Sequence, residues 1–402
     1  MLVRPSRPTV VVGGGLVGLA TAWALARRGR PVVVLEKEDD WGRHQSGRCI
    51  GVVHTGIFNR PGTDMQRHCA AAQHDLEAFC LEHEVPFERR GKVVVATDTD
   101  QVPHLDRLAE RAKALDVKAT MLGPQGLADV EPHVRAVQAL HIPELALTDY
   151  QALTRTFVRL LTEKGADLRL GSRVIAVQPR EDGAQVLTRS DRTYVVHGSR
   201  IVLCAGVHSD RLTPGGVRRS REELAIVPLW GEHAFLRKGR EDLVRSVIYP
   251  VPDEDEPVIG LHFARALDGR VHVGSPNVVL AVGREASRLR DMTFADIRES
   301  LTFPGTWRMG RRHGWQAAGE VGRWLVPPLF IRSARKIIPD LQWSDLRPTP
   351  ASLRAQAVRR DGRMCDDFLV VQRGAVTSVM NAPSPAASAC LGLGDQIATS
   401  LL

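Results

Sequence analysis

The chain has 402 residues, 43% hydrophobic and 25% charged, the balance of a globular protein at a length that as a prior carries two or three domains. Lys and Arg number 54 against 46 Asp and Glu, a formal charge of +8, and 47 of the 54 cations are Arg. No basic block reaches the ~5–6 like charges of an interaction tail, and only three Tyr and ten Phe offer stacking surfaces. Nucleic acid is therefore not the expected partner, and disordered, collagen-like and coiled-coil classes fail on composition.

The first 26 residues pair a basic start, MLVRPSR, with an almost uncharged run, but glycines at 13, 14, 15 and 18 break it and no cleavage site follows, so it is not expected to be a signal peptide. A different unit explains it. Thr9-Val-Val-Val12 is a short β-branched run suited to a buried parallel strand. Gly13-Gly14-Gly15-Leu16-Val17-Gly18 follows, a G-x-G-x-x-G pattern with an extra central glycine. Leu16 to Arg28 reads as an Ala/Leu-rich helix punctuated by Gly29, and Pro31–Leu35 as a second strand ending in Glu36. Gly13 permits the tight turn, Gly15 lets backbone approach a pyrophosphate, and Gly18 allows close helix–sheet packing. The helix N-terminus presents unpaired N–H groups to the diphosphate, and Glu36 is placed to accept from a ribose hydroxyl. Strand, glycines, helix, strand and acid within one unit identify a dinucleotide site, with contacts expected from Gly13, Gly15, Leu16, Val17, Gly18 and Glu36. No second such motif follows, which leaves FAD as bound cofactor or NAD as cosubstrate.

Further along, Gln66–Glu84, Val102–Leu115 and Thr154–Gly165 have helical periodicity, while Lys92–Ala96 reads as a strand. Asp167–Leu170, Arg173–Val177, Val186-Leu187 and Tyr194–Val196 resemble a meander leading to the hydrophobic strand Arg200–Gly206, whose Ala205-Gly206 end lets a ligand approach backbone. Ala225–Val227, His233–Leu236, Val258–His262 and Val271–Val273 read as strands, and Asp291–Arg312 and Val321–Ile338 as helices. The six Cys (49, 69, 80, 204, 365, 390) form no C-x-x-C, and the fourteen His no H-E-x-x-H. No metal is expected, and free thiols suit a cytoplasmic enzyme. No charge-free run of ~20 apolar residues outside the glycine-broken start would span a bilayer, which leaves peripheral contact through the basic surface as the only membrane role.

His44-Gln-Ser-Gly-Arg48, Gly51-Val-Val-His-Thr-Gly56, Gly91-Lys92, Leu261-His-Phe-Ala-Arg265, Asp268-Gly269, Leu353-Arg-Ala-Gln-Ala357, Asp366-Asp367-Phe368 and Asn381-Ala-Pro-Ser-Pro-Ala-Ala387 stand in this order along nearly the whole chain. Together they resemble the L-2-hydroxyglutarate dehydrogenase/oxidase family of the D-amino-acid-oxidase-like FAD superfamily. That resemblance implies an α/β fold in which a Rossmann-like FAD-binding domain carries an inserted mixed-sheet substrate domain. The expected division is 1–90, 146–215 and 346–402 for FAD, and 91–145 and 216–345 for substrate. It implies FAD held further by Lys37, Gln45, Ser46, Arg48, Val174, Ala205, Gly206, Ser384, Pro385 and Ala386, with 381–387 bringing a helix N-terminus to the flavin's pyrimidine end. It also implies oxidation of a small 2-hydroxy acid to a 2-oxo acid, with electrons passing on to O2 or a quinone; the same fold would alternatively serve amine oxidation or a hydroxyl on a bulkier substrate.

Such chemistry needs a base for the hydroxyl proton and cations for carboxylates. His54 is the candidate base, because imidazole titrates near neutrality, and His262 competes with it. Arg265 and Arg354 are the candidate carboxylate clamps, since a planar fork binds a carboxylate through two bonds. Four departures from the family pattern fall at this site: Cys49-Ile50 for Asn-Ser, Phe58-Asn59 for two Tyr, Trp230 for Arg in Pro228-Leu-Trp-Gly-Glu232, and Ser275 as an insertion. Ile50 and Trp230 are thus expected to line the substrate pocket, and Trp230 to replace a cation by an apolar wall, favouring a less acidic or bulkier substrate. Cys49 is expected to pack rather than to bond a flavin.

Overall fold

A computed structural model describes residues 7–215, 224–252, 260–280, 284, 293–312, 327–349 and 352–402, with backbone alone at 230, 232, 275–280, 327 and 352. Strand β1 (Thr9–Val12) is buried along its whole length, as an all-apolar strand inside a parallel sheet must be. It lies between β2 (Val32–Leu35) and Arg200–Leu203 in a six-stranded sheet whose outer members are Asp167–Arg169 on one side and Val376–Asn381 and Leu369–Arg373 on the other. All neighbours pair in parallel except the 369–373 edge strand.

The two faces of β1 find different cover because successive side chains alternate. Val11, with Val34 and Val202, packs under helix α1 (Leu16–Ala26), helix α2 (Asp64–Glu82) and the helices Tyr150–Glu163 and Cys390–Thr399. Val10 and Val12 pack on an antiparallel meander of Arg173–Arg180, Gly183–Arg189 and Thr193–Gly198. Helix α1 is apolar almost all round, so it is sandwiched rather than surface-lying. The 150–163 helix begins a turn earlier than periodicity indicates, because the Asp149 side chain accepts from the Gln151 and Ala152 amides.

The second sheet has nine strands and runs across the inserted segments. Its order is 346–348, 224–236, 271–280, 262–265, 247–250, 92–96, 138–142, 120–122, with 352–359 also paired to 224–236. Two expected strands, 225–227 and 233–236, are one strand, Leu224–Leu236, bent where its register with 271–280 shifts between Gly231 and His233. One face carries Val93, Ile248, Phe263, Val271 and Val273 against Leu127 and the 327–335 helix. The opposite face carries Val247, Tyr249 and Ala264 against Ile57 and Leu147.

The expected boundary at 346 is placed too early. Residues 346–348 and 352–359 are strands of the second sheet, hydrogen-bonded to 224–236, so the chain returns to the six-stranded sheet only at 369–373. The expected helix 291–312 breaks at Phe303, since Pro304 disfavours helical backbone in the residue before it. Of the helix expected at 321–338, residues 321–326 lie outside the described residues. No helix among the described residues is long and apolar enough to cross a membrane.

Candidate active site

A cavity of about 1460 Å³ runs between the two sheets, larger than the ~300–1,000 Å³ of an ordinary small-ligand pocket. One end is the glycine turn. Gly13 has φ +109° and its missing Cβ would collide with the Cys204 carbonyl, while a Cβ on Gly18 would collide with the Gly13 carbonyl. Only glycine lets the strand end, the turn and α1 approach this closely. Gly15 precedes the helix without a side-chain cap, and the first turn holds no acid. Leu16 N donates to Ser46 Oγ across 3.0 Å. The helix start, with its positive character, thus lies at this end of the cavity beside a hydroxyl, with Gly15, Leu16, Val17 and Gly18 in the lining.

Glu36 is buried at the end of β2, where its carboxylate accepts from Gly14 N (2.7 Å) and Glu38 N (2.9 Å). It clamps the glycine turn as well as lining the cavity, and each oxygen keeps a lone pair for a sugar hydroxyl. Lys37, Gln45, Ser46, Arg48, Val174, Ala205 and Gly206 line the same trough, as do Leu16 and Val17. Gln45 also spans to the second sheet, its Oε1 accepting from Ala355 N at 3.1 Å.

Ser384, Pro385 and Ala386 line the far end, but the helix expected to start there begins only at Cys390. Residues 383–389 form tight turns in which Ala386 N donates to Pro383 O and Ser388 N to Pro385 O. Ser388 then ties this end to the His54 segment: its Oγ accepts from His54 N (3.0 Å) and lies 3.0 Å from the Tyr150 hydroxyl, which donates to Val52 O. Sequence reasoning singled out neither Tyr150 nor Ser388; a tyrosine directly after the capping Asp149, where α-helix residues normally face out or pack, was the available signal.

The wall opposite is the second sheet. Tyr249 neighbours His262, ring centroids 5.0 Å apart, and His262 and His233 both pair with Gly274. These four residues form a row across adjacent strands on one face. The His262 Nδ1 lies 2.9 Å from the Gly260 carbonyl, which can only accept, so Nδ1 carries the proton and Nε2 presents a lone pair. Burial pushes His262 down to about 4, with His233 and Lys92 adding to the depression. Burial pushes His54 down to about 3, helped by Lys92 and His262. Both rings line the cavity, and both are neutral at neutral pH. His233, Tyr249 and Lys92 were not expected as site residues; the alternation H-x-G at 272–274 and a single Lys heading a valine strand were the signals.

Arg354 reaches the cavity from the 352–359 strand. Its Nε is buried with no hydrogen-bond partner among the described residues, and burial lowers the guanidinium to about 10, still charged at neutral pH. Arg265 does not reach the cavity. It stands three residues beyond His262 on the same strand, so the pleat turns it to the other face with Phe263, and its partner is the exposed Asp242 at 3.8 Å. Ile50 lines the cavity; the Trp230 side chain lies outside the described residues, as do those at Ser275, Pro276 and Asn277. All six cysteines are free, and Cys49 donates to Gln45 O. Among the described residues no group of His, Cys, Asp and Glu is arranged for a metal.

The helix start with no acid in its first turn, the hydroxyl of Ser46 and the free lone pairs of Glu36 suit a long adenine dinucleotide, and the cavity's volume of about 1460 Å³ admits FAD. Comparison with known proteins agrees. Residues 9–398 match the family described as FAD dependent oxidoreductase (DAO). The chain is 35% identical over 391 residues to an L-2-hydroxyglutarate dehydrogenase from Indibacter alkaliphilus, covering 96% of this chain and 97% of that one. It is 32% identical over 400 residues to the Escherichia coli enzyme of the same name, covering 98% and 92%, and 30% identical over 407 residues to the human mitochondrial one, covering 97% and 87%. In fold it is similar to an FAD-bound L-α-glycerophosphate oxidase from Mycoplasma pneumoniae (TM-score 0.78, 19% identity, 99% and 95% covered) and to glycine oxidase from Bacillus cereus (TM-score 0.71, 15% identity, 98% and 95% covered).

Proposed function

The chain belongs to the DAO family of FAD-dependent oxidoreductases and, within it, to the L-2-hydroxyglutarate dehydrogenases, and on that footing we propose that its cavity oxidises the CH–OH group of a 2-hydroxy acid of the L-2-hydroxyglutarate class to a 2-oxo acid. Bound FAD supplies the two-electron acceptor that no side chain provides. Residues 13–18, Glu36, Ser46 and the 382–388 turns would hold it. The residues of this chain do the rest.

Arg354 binds the carboxylate next to the reacting carbon. A buried guanidinium with an unpartnered Nε is a costly arrangement unless an anion completes it, and this single observation carries the reading. His262 Nε2 takes the hydroxyl proton. Its lone pair is fixed by the Nδ1–Gly260 hydrogen bond, and its neutral state leaves it ready to accept. His54, in the wall tied down by Ser388 and Tyr150, orients the substrate hydroxyl toward that nitrogen and is the second candidate base. Ile50 and the Tyr249 ring close the apolar side, which excludes water and strengthens each polar contact. The electron acceptor is O2 or a quinone. The proposed setting is the cytoplasm, supported by six free thiols, with membrane contact peripheral at most.

The test is anaerobic titration of the purified yellow protein with L-2-hydroxyglutarate, bulkier 2-hydroxy acids and 2-amino acids. Fastest bleaching by L-2-hydroxyglutarate, with 2-oxoglutarate formed, supports the assignment. Preference for a bulkier monocarboxylate would reveal the effect of Trp230 and overturn the dicarboxylate assignment, and bleaching by amino acids with ammonia release would overturn the whole reaction class.

A further inference from the structure

Lys92 heads the strand Lys92–Ala96 and is 1% exposed, among the largest fully buried side chains of the protein. Lysine is almost never fully buried unless paired, and no carboxylate among the described residues pairs with this one. Its stem runs beside Ile142 and Val247, its neighbours in the sheet, on the face whose apolar cluster includes Ile57, Leu147 and Tyr249. Its nitrogen is inserted between two rings, 3.8 Å from the centroid of Phe58 and 3.8 Å from that of Tyr249, which stack 6.0 Å apart. A methionine or leucine would fill this slot without desolvating a charge, so the space alone does not explain a lysine.

The slot lies directly behind the chemistry. Phe58 and Tyr249 both line the cavity, Tyr249 touches the His262 ring, and the lysine charge acts on both His54 and His262. We propose that Lys92 is a positioning residue of the oxidation site: its ammonium, held between the Phe58 and Tyr249 rings, sets the electrostatics of the wall that carries His54 and His262. The inference rests on the reading of those imidazoles as the proton-accepting groups.

The physics runs in two opposed directions at Lys92 itself. Burial pushes its amine well below the ordinary lysine value, while the faces of two aromatic rings favour the cation. The charged state wins in this proposal. A positive charge behind the wall disfavours a second one on either imidazole, which adds to burial, the larger cause, in keeping both unprotonated and able to accept. Among the described residues the other titratable groups near them are His233 from the 224–236 strand, His272 from the 271–280 strand and the phenol of Tyr249, with Arg48 acting on His233 and the Arg354 guanidinium lining the same cavity. Among the described residues Lys92 is the cation that acts on both candidate bases at once.

The experiment uses the flavin-loaded enzyme and the variants Lys92→Met and Lys92→Arg. Imidazole resonances of His54 and His262, assigned through His54→Asn and His262→Asn, are titrated by NMR without turnover, beside the acid limb of kcat/KM, flavin content and Tm. In Lys92→Met both midpoints move upward, by roughly 0.5–1 pH unit, the acid limb follows, and Lys92→Arg restores them toward wild type. A folded, yellow Lys92→Met protein with unmoved histidine midpoints and only a lowered Tm overturns the proposal. If Lys92→Met does not fold, the wild-type side chain decides: an ammonium between the rings throughout pH 6–8 supports the proposal, and a neutral amine overturns it. Failure of the parent reading is distinguishable, because no 2-hydroxy acid would then bleach the wild type even where the histidine midpoints respond to Lys92.

Discussion

The imidazole of His262 lies across Gly274, so that a Cβ at 274 would overlap Cε1, Nε2 and Nδ1 of the ring. Gly274 has no unusual backbone demand among the positive-φ glycines; the requirement is space alone. Ala at 274 must swing the ring away from the Gly260 carbonyl and take Nε2 out of line. Gly274→Ala is therefore expected to lower kcat by about 10²–10⁴-fold, the usual worth of a positioned base, while flavin content and Tm stay near wild type. Steady-state kinetics beside the visible spectrum check this; unchanged kcat would remove His262 from the base role and leave it to His54.

At the other end of the cavity a missing Cβ serves the proposed cofactor contact rather than the chemistry. Gly18→Ala drives a methyl into the Gly13 carbonyl, and backbone there cannot yield without moving the turn that faces the diphosphate. The expected outcome is a protein that folds, because the sheet on either side is unaffected, but purifies with much less flavin. The ratio of visible to ultraviolet absorbance after gel filtration measures it.

These two glycines differ in how legible they were. Gly18 belongs to a local motif in which strand, turn and helix are adjacent in sequence, so thirty residues suffice to assign its job. Gly274 becomes functional only through a neighbour from another strand, His262, and nothing in a single strand announces which residue will lie beside it. The same distinction explains Arg265 and Arg354. Both stand in motifs of the family, but the two-residue pleat decides which faces the cavity, and His262 and Arg265 differ by an odd number. Tyr150 and Ser388, 238 residues apart, meet only because the C-terminal helix packs on α1. The early boundary at 346 failed for a related reason: strand pairing, not composition, assigns 352–359 to the second sheet.

The two arginines can be told apart by one pair of variants. Arg354→Met removes the proposed carboxylate clamp and is expected to raise KM for L-2-hydroxyglutarate by at least tenfold, ~1.4 kcal/mol of lost binding. Because it also removes a desolvated charge with an unpartnered Nε, Tm should hold or rise, a separation of function from stability expected of a binding residue. Arg265→Met cuts only a 3.8 Å contact to exposed Asp242 and should leave KM within twofold, since surface pairs contribute ~0–1 kcal/mol. Equal KM for both variants would place the clamp elsewhere.

The buried histidines also predict how stability depends on pH. His54 is pushed down to about 3, and His262 and His272 to about 4, in each case chiefly by burial, whereas in the unfolded chain they titrate near ~6.5. A group with a depressed folded value contributes its stability fully above the unfolded value. As pH falls below ~6.5 the unfolded chain binds protons that the folded one refuses, so stability drops with a slope of up to ~1.4 kcal/mol per pH unit for each such histidine. Below about 4 the folded rings of His262 and His272 protonate as well and their part of the slope ends. Thermal unfolding of the holoprotein should therefore show a flat Tm from pH 8 to ~7 and a steady fall from ~6.5 toward 4. Replacing His272 by Gln, which removes one of the three groups and leaves His54 and His262 in place, should make that fall measurably shallower; an unaltered slope would mean that carboxylates, not these imidazoles, govern the acid side.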